Sequence, residues 1–333
     1  MLEFSFLFLI NLFFYYYFES IASILNCYDY PNKIRRIHKK KIAKVGGFLI
    51  LVNIILFYAI SFNSTGILKQ EIFFIIGCIV FFLLGFFDDK IDINAYLKLF
   101  FQIIFLLLLV IFNNNLSINN IYISFLDKKI LLGQFSFSFT ILCYLLFINA
   151  FNMLDGINIY AGTYALLLLV FLQLHQNSIL YIFLITCLLF FLIKNYQNKL
   201  FLGNNGSYLL GFILSYFIID LNGTKVISAE EIFLVLIIPG LDMLRLYFQR
   251  IYNKKNPFKA DLNHLHHILL KKFSYNKAII YLLLILCVPF FLNYLFEDSK
   301  KIYLIIFMIF LYYSLIIYLL KKIKRSNILG EEF

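Results

Sequence analysis

The stretch "IIFLLLLVIF" at residues 103–112 decides the fold class of this chain. All ten of its residues are apolar. A strand of a transmembrane barrel would instead alternate polar and apolar positions. An unbroken apolar run indicates an α-helix that is apolar on every side. Similar runs recur from one end of the chain to the other, and we therefore predict an all-α integral membrane protein.

The composition supports this prediction, because 62% of the 333 residues are hydrophobic, only 14% are charged and the mean hydropathy is +0.88. A soluble domain carries far more charge than this. We predict a single polytopic domain over residues 1–333 with about eleven transmembrane helices. The predicted spans are 4–26, 45–63, 70–87, 97–113, 135–150, 157–174, 178–194, 207–220, 231–248, 278–296 and 302–320.

The distribution of positive charge predicts the orientation, because short cytoplasmic loops accumulate Lys and Arg. With the N-terminus outside and the C-terminus inside, 23 of the 29 Lys and Arg fall on the inner side. This bias, with attraction to anionic lipid, accounts for most of the net charge of +11, so no nucleic-acid partner is expected. The five cysteines are scattered and contain no C-x-x-C pair, which argues against disulfides and a thiolate metal site.

The first polar stretch, "GFFDDKIDINAYLKLFFQ" at 85–102, is rich in acids. Neighbouring carboxylates repel one another, so Asp88 and Asp89 indicate a divalent cation or a shared proton. Asp92 follows Asp88 by four positions and is expected to share its face of a helix. The alternative is a solvated loop whose acids cap the next span. Lys98 either extends toward the lipid headgroups or contacts a phosphate.

The second polar stretch, "NAFNMLDGINIYAG" at 149–162, places Asn149, Asn152, Asp155 and Asn158 three residues apart. An ionised Asp costs ~3 kcal/mol at the centre of a membrane helix and less near its end. Such a residue without a function would tend to be lost. We therefore expect a site here, the alternative being an elaborate N-cap for the following helix.

The third stretch, "FLGNNGSYLLGF" at 201–212, begins a predicted helix. Free N–H groups and the positive end of the helix dipole make such a start suited to binding an anion. The alternative is a bend with close helix packing at its glycines. The sequence alone leaves both alternatives open.

A fourth stretch, at 239–273, ends in a cluster of three of the five histidines, His264, His266 and His267. We expect a phosphate-binding patch or an amphipathic turn. Zinc is disfavoured because consecutive histidines on a helix do not easily bind one ion. A basic segment at 29–48 ends in Gly46-Gly47, and we expect all of these patches to meet at the cytoplasmic face.

In order and sidedness, the motifs resemble those of the polyprenyl-phosphate N-acetylhexosamine-1-phosphate transferases, the WecA-like branch of glycosyltransferase family 4, related to MraY. The matching motifs are "DYPNKIRRIHKKKIAKVGG", "GFFDDKIDINAYLKLFFQ", "NAFNMLDGINIYAG", "FLGNNGSYLLG" and "NPFKADLNHLHH". The resemblance implies Mg²⁺-dependent transfer of a sugar-1-phosphate from a UDP-sugar to undecaprenyl phosphate, releasing UMP. It also implies that the protein lies in the bacterial inner membrane and catalyses the first membrane step of cell-surface glycan synthesis. Mn²⁺ could replace Mg²⁺, and a homodimer is an option.

The same resemblance assigns roles to residues. Catalysis would fall to Asp88, Asp89 and Asp155, and the metal to these three with Asn204. Substrate binding would fall to Lys98, Asn152, Asn158, Gly203, Asn205, Gly206, Ser207, Arg250, His264, His266 and His267. Two positions depart from the pattern of the family: Asn204 stands where relatives have Asp, and Leu262 stands where they have Arg.

Three other functions compete with this interpretation. A family member that has lost catalysis through Asn204 would keep the fold. A UbiA-type prenyltransferase would use "DDKID" at 88–92, but it needs a second Asp-rich loop, whereas "NMLDGIN" has one Asp. An ion-coupled transporter would place its acids near the midplane of the membrane, whereas these are predicted at the inner rim.

Overall fold

A computed structural model describes residues 2–30, 41–65, 69–113, 116–224, 226–256 and 262–329. The chain is built of helices, and its described strands form only two short antiparallel pairs, β1 with β2 and β3 with β4. The all-α prediction is therefore confirmed. Most of the predicted basic loop, from Lys33 to Lys40, lies outside the described residues.

Eight helices in the described part of the chain are long and apolar enough to cross a membrane. Two more apolar helices, at Gly46–Ser61 and Tyr160–His175, are shorter. The predicted span at 231–248 is divided between two helices, α9 (Ala229–Val235) and α10 (Ile237–Tyr252). Pro239 explains the break, because it has no N–H to donate to the carbonyl of Val235. The count of eleven spans is thus not confirmed.

The chain divides into two compact units, each described here by itself. The prediction of one domain over 1–333 stays a prediction. The first unit comprises residues 1–119 and 134–226. Its elements are α1 (Leu2–Leu25), β1 (Tyr28–Asp29), β2 (Ile42–Ala43), α2 (Gly46–Thr65), α3 (Lys69–Ile91), α4 (Ala95–Phe112), α5 (Ser136–Leu154), α6 (Tyr160–His175), α7 (Ile179–Tyr196) and α8 (Gly203–Gly223).

Helix α8 is the central helix of the first unit. It packs against α2, α3, α5 and α6, and 17 of its 21 residues are buried. Around Phe212, aromatic rings fill the core: the ring of Phe81 stacks on it at 4.8 Å between centroids. Gly77 makes room for that ring, since a Cβ at this position would come within 2.2 Å of Phe212. The polar start of α8 is therefore fixed by a tightly packed apolar helix.

The second unit comprises residues 120–133 and 227–333. Its elements are β3 (Asn120–Ile123), β4 (Lys128–Leu131), α9, α10, α11 (Leu265–Leu270), α12 (Tyr275–Leu295) and α13 (Asp298–Leu329). A capping box of Ser228 and Glu231 begins α9. The Nζ of Lys301, on α13, lies 2.8 Å from a carboxylate oxygen of Glu231 and ties these two helices together.

Candidate active site

Asp88 lies in the last turn of α3 and is only 4% exposed. Three donors surround its carboxylate. The Nζ of Lys98 lies 2.7 Å from Oδ1, which also accepts the backbone N–H of Ile93 at 3.0 Å. The side-chain amide of Asn204 donates to Oδ2 at 2.9 Å. A buried carboxylate held in this way stays an acceptor with a fixed orientation.

Asp89, the next residue, reaches the start of α8. Its Oδ2 accepts the backbone N–H of Asn205 at 3.2 Å and the Asn205 side-chain amide at 2.9 Å. Its Oδ1 lies 3.3 Å from the Nζ of Lys44, which also pairs with Asp29 at 2.8 Å. The predicted anion site at this helix start is thus occupied by a carboxylate of the protein itself, where the helix dipole favours negative charge.

Asp92 does not share a helix face with Asp88, because the segment is not helical as far as Asp92. Helix α3 ends at Ile91, and Asp92 follows it with a φ of +49° and an exposed side chain. Residues 92–94 belong to no helix, and they lead to α4, whose N-cap is Asn94. A face shared at four-residue spacing requires an unbroken helix, and the turn removes that condition.

Asn152, near the end of α5, joins the start of α8 through its side-chain amide. It donates to the Oγ of Ser207 at 2.6 Å and to the Oδ1 of Asn204 at 3.2 Å. One turn earlier, the amide of Asn149 donates to the buried Gln102 of α4 at 3.0 Å. The polar residues predicted on three separate segments, at 88–102, 149–152 and 204–207, are therefore neighbours in the first unit.

Glycines allow the backbones to approach at this place. A Cβ on Gly85 of α3 would lie 2.2 Å from the carbonyl oxygen of Asn204, and a Cβ on Gly47 of α2 would lie 2.5 Å from the backbone N of Gly206. Gly203 has a φ of +73°, which glycine tolerates without strain. Gly206 itself packs against Gly47 and Leu202. These glycines serve the close packing that the sequence left as one of two alternatives.

Asp155 and Asn158 lie in the turn between α5 and α6. Asp155 is the C-cap of α5, and its carboxylate forms no hydrogen bond or ion pair with another described residue. Burial raises the pKa of the Asp155 carboxyl well above its ordinary value, and the nearby Asp89 carboxylate raises it further. The Asn158 amide donates to Asn198, so this turn touches the segment after α7.

The predicted metal ligands can be tested against this geometry. Within the described ranges, no three His, Cys, Asp or Glu side chains lie close enough together to hold a metal ion. The carboxylates of Asp88 and Asp89 are both engaged by lysine and amide donors. Asp155 is half-buried and, alone among the three acids, has no direct ion pair with a described residue, so the nearby Asp89 carboxylate is offset only by the more distant charge of Lys44. A bound cation relieves this condition.

The second unit holds a separate network around Asp242 of α10. Its Oδ2 lies 2.9 Å from the Nδ1 of His264, and its Oδ1 lies 2.7 Å from a guanidinium nitrogen of Arg245. The hydroxyl of Tyr312 also donates to Oδ1, at 2.8 Å. Burial alone would raise the pKa of Asp242, but the hydrogen bond from His264 and the charge of Arg245 lower it well below its ordinary value.

The rings of the three predicted histidines lie close to one another. The rings of His264 and His266 lie 5.5 Å apart and almost parallel, and those of His266 and His267 lie 4.2 Å apart. Burial and the neighbouring histidines lower the pKa of His266 to about 3, so it is neutral at pH 7. Arg250 is buried on α10, and Leu262 is exposed. The clustering of the histidines is confirmed, while their contact with substrate stays a prediction.

Two residues of these networks, Lys44 and Tyr312, lie outside the site predicted from the sequence. Lys44 was assigned to the basic loop, although its position two residues before Gly46-Gly47 places it at the start of α2. Asp242 and Arg245 lie in the fourth polar stretch, at 239–273, which the sequence predicts to gather near the histidines, and the structure brings them together with His264. Tyr312 gave no signal in the sequence, because it is one of 24 tyrosines in an apolar run.

The membrane-length helices and the buried Asp88 at the end of α3 define an integral membrane protein with a polar site at one end of its first unit. Residues 71–222 match the profile of the glycosyl transferase family 4. This segment contains α3 to α8 and with them Asp88, Asp89, Asn152, Asp155 and Asn204.

Curated relatives agree with this match. The chain is 25% identical over 280 residues to the undecaprenyl-phosphate alpha-N-acetylglucosaminyl 1-phosphate transferase of Escherichia coli O157:H7, covering 80% of this chain and 75% of the relative. It is 25% identical over 334 residues to the probable undecaprenyl-phosphate N-acetylglucosaminyl 1-phosphate transferase of Bacillus subtilis strain 168, covering 95% and 88%. The chain is thus similar to the glycosyl transferase family 4 over residues 71–222, and to these transferases over most of its length.

Proposed function

We propose that this protein transfers N-acetylhexosamine-1-phosphate from a UDP-sugar to undecaprenyl or another polyprenyl phosphate and releases UMP. The observation that carries the proposal is the buried carboxylate of Asp88, held between Lys98 and Asn204 beside the Gly-rich start of α8. The names of the relatives support the polyprenyl phosphate acceptor and the sugar phosphate. The donor is N-acetylglucosamine or a deoxy relative, as its UDP derivative.

In this reaction an oxygen of the lipid phosphate attacks the β-phosphorus of the UDP-sugar. A new P–O bond forms to the lipid phosphate, and the bond between the β-phosphorus and the bridging oxygen breaks, so that UMP leaves. Asp88 accepts the proton of the lipid phosphate, or orients its oxygen when that oxygen is already ionised. Lys98 supplies positive charge beside this oxygen. No covalent intermediate on the protein is needed when both substrates bind together.

The proposal includes a divalent cation, Mg²⁺ with Mn²⁺ as a substitute. Asp88, Asp89 and Asp155 would hold it by carboxylate oxygens and Asn204 by its amide oxygen, which are the ligands that Mg²⁺ prefers. A bound cation neutralises charge on the diphosphate of the donor. The half-buried carboxylate of Asp155, beside Asp89 and without a direct ion pair to a described residue, supports a cation at this end of the first unit.

The remaining roles follow from donor chemistry. Lys98, Asn152, Asn158, Gly203, Gly206 and Ser207 are proposed to contact the substrates. Asn205, whose N–H and side-chain amide donate to Asp89, is proposed to position that acid toward them. Arg250, His264, His266 and His267 are proposed to contact the diphosphate or sugar. We place the protein in the bacterial inner membrane with this site on the cytoplasmic face, as the first membrane step of cell-surface glycan synthesis, with a homodimer as an option.

A second candidate, a family member without catalytic activity, is favoured by Asn204 alone. One assay separates the two: purified protein with Mg²⁺, undecaprenyl phosphate and a panel of UDP-sugars, scored for UMP release. We expect release with UDP-N-acetylglucosamine or a deoxy relative. The absence of release with every donor would establish the inactive candidate, and full turnover in EDTA would overturn the mechanism.

The chain offers a matched pair of variants for this assay. Asp88→Asn removes the buried carboxylate that Lys98 contacts, and we expect it to lower the rate by ~10²-fold or more, the scale of a lost electrostatic contact in an active site. Asp92→Asn makes the same chemical change four residues away on an exposed turn, and we expect it to keep the activity. Equal effects of the two changes would contradict the role of Asp88.

A further inference from the structure

The amide of Asn204 occupies the centre of the polar site of the first unit. We propose that Asn204 is a positioning residue that holds Asp88 by hydrogen bonding, so that the resting protein fixes this carboxylate without a resident divalent cation. The inference deepens the proposed function, on which it rests for the meaning of Asp88. The contacts that carry it are the three donors on the Asp88 carboxylate and the amide pair of Asn204 with Asn152.

The orientation of the Asn204 amide is determined by its partners. The side-chain NH₂ of Asn204 donates to the Oδ2 of Asp88 at 2.9 Å, which is the role that a carboxylate ion-paired with Lys98 requires of it. The amide oxygen of Asn204 then faces Asn152, whose NH₂ donates to it at 3.2 Å. Both ends of the side chain are thus satisfied by protein groups, and the amide oxygen is not directed at an open position.

The charge of the cluster points in the same direction. The negative charge of Asp88 is already paired with an ammonium group, since the Nζ of Lys98 lies 2.7 Å from its Oδ1. A carboxylate at position 204 would face the Oδ2 of Asp88 at hydrogen-bond distance with no hydrogen between them. Two carboxylates at that distance must share a proton or bind a cation. Asparagine removes this requirement, which explains why the site carries an amide here.

The cation of the proposed reaction would then arrive with the substrates, and Asp88, Asp89, Asp155 and Asn204 would become its ligands only in that complex. The resting protein would hold none at Asp88. Asn204 then acts through Asp88 and Asn152. The expected consequence is a protein whose stability is independent of Mg²⁺ until its substrates bind.

The test uses the full-length protein in detergent without substrate. The melting temperature is measured against Mg²⁺ at constant ionic strength for the native sequence, for Asn204→Asp, for Asn204→Ala and for a control, Asn222→Asp. Asn222 lies at the opposite end of α8 and is partly exposed, so the control adds the same charge to the same helix far from Asp88.

We expect the native protein and Asn222→Asp to melt at temperatures that Mg²⁺ does not change. Asn204→Asp should melt several degrees lower without Mg²⁺ and recover when it is added. Asn204→Ala should melt lower as well but should not recover, because it provides neither a donor nor a ligand. A rise of the native melting temperature with Mg²⁺, or an Asn204→Asp variant insensitive to it, would overturn the proposal.

Binding of Mn²⁺ followed by electron paramagnetic resonance provides a measurement on the native sequence that needs no variant. We expect no tightly bound Mn²⁺ in the native protein and one equivalent in Asn204→Asp. One equivalent in the native protein would overturn the proposal. These measurements use no turnover, so a failure of UMP release with every donor would reject the proposed function and leave the role of Asn204 to be decided by melting and Mn²⁺ binding.

Discussion

Gly85 of α3 lies against the backbone of Asn204 so closely that a Cβ on Gly85 would come within 2.2 Å of the Asn204 carbonyl oxygen. Since Asp88 lies one turn beyond Gly85 on the same helix, this contact sets the distance between Asp88 and the start of α8. The geometry of the site therefore depends on a residue that has no side chain.

Gly85→Ala is expected to push α3 away from α8 and to lower both the melting temperature and UMP release. Overpacking of a filled site of this kind costs roughly 1–3 kcal/mol. Gly240→Ala is the matched control, since a Cβ there meets nothing within 4 Å and alanine favours the helix. The two variants are compared by thermal unfolding and by the UMP assay. Similar stability of both would contradict the close contact.

Tyr312→Phe is expected to destabilise the protein by about 1–2 kcal/mol, because it removes the buried hydroxyl that donates to Asp242 and accepts from Arg245. Tyr313→Phe provides the control at the next position, where the ring is 39% exposed. Chemical denaturation of both variants measures the difference. A loss of stability that is the same in both would show that the hydroxyl of Tyr312 carries no particular weight.

The protein is expected to become less stable as the pH is lowered, because His266 titrates differently in the folded and unfolded states. Folding lowers the pKa of this ring to about 3 from an ordinary 6.5. Between these two pH values the unfolded chain therefore binds a proton at His266, whereas the folded protein does not. The contribution is complete above pH 6.5 and is lost as the pH falls toward 3. In His266→Asn, which cannot take up the proton, the melting temperature should depend less steeply on pH over this range. An unchanged slope in the variant would contradict the burial of a neutral ring.

Reporter fusions after Ile159 and after Lys199 are expected on the same side of the membrane, the cytoplasmic one. The backbone N–H of Ile159 donates to the side chain of Asn195, and Asn158 donates to Asn198, so the two turns are in contact. Two turns in direct contact cannot lie on opposite sides of the membrane. A fusion after Gln176, at the other end of α6, is the control and should report the outside.

Much of this arrangement is contained in the sequence. Uninterrupted apolar runs predict helices because every backbone group in a membrane must be satisfied within its own segment. The Gly-rich start of α8 and the acids of α3 are visible because they interrupt such runs. Their order along the chain predicted one polar site, and the first unit brings Asp88, Asn152 and Asn204 together.

Other features depend on contacts that local sequence does not contain. Asp92 left the face of Asp88 because α3 ends one residue before it. The predicted span at 231–248 failed because hydropathy averages over Pro239 and over the charges of α10. The reason for an amide at position 204 is its hydrogen bond to Asp88, which lies 116 residues earlier in the chain.

Main-chain hydrogen bonds anchor the start of α8. The N–H of Phe201 donates to the carbonyl of Ala43, and the N–H groups of Gly46 and Gly47 donate to Phe201 and Leu202. Because these bonds involve no side chain, exchanging the side chains of Asn204, Asn205 or Ser207 leaves the anchor intact. The chain segment that leads into α8 is consequently held independently of the side chains of Asn204, Asn205 and Ser207, so variants at these positions can be compared without loss of the main-chain attachment.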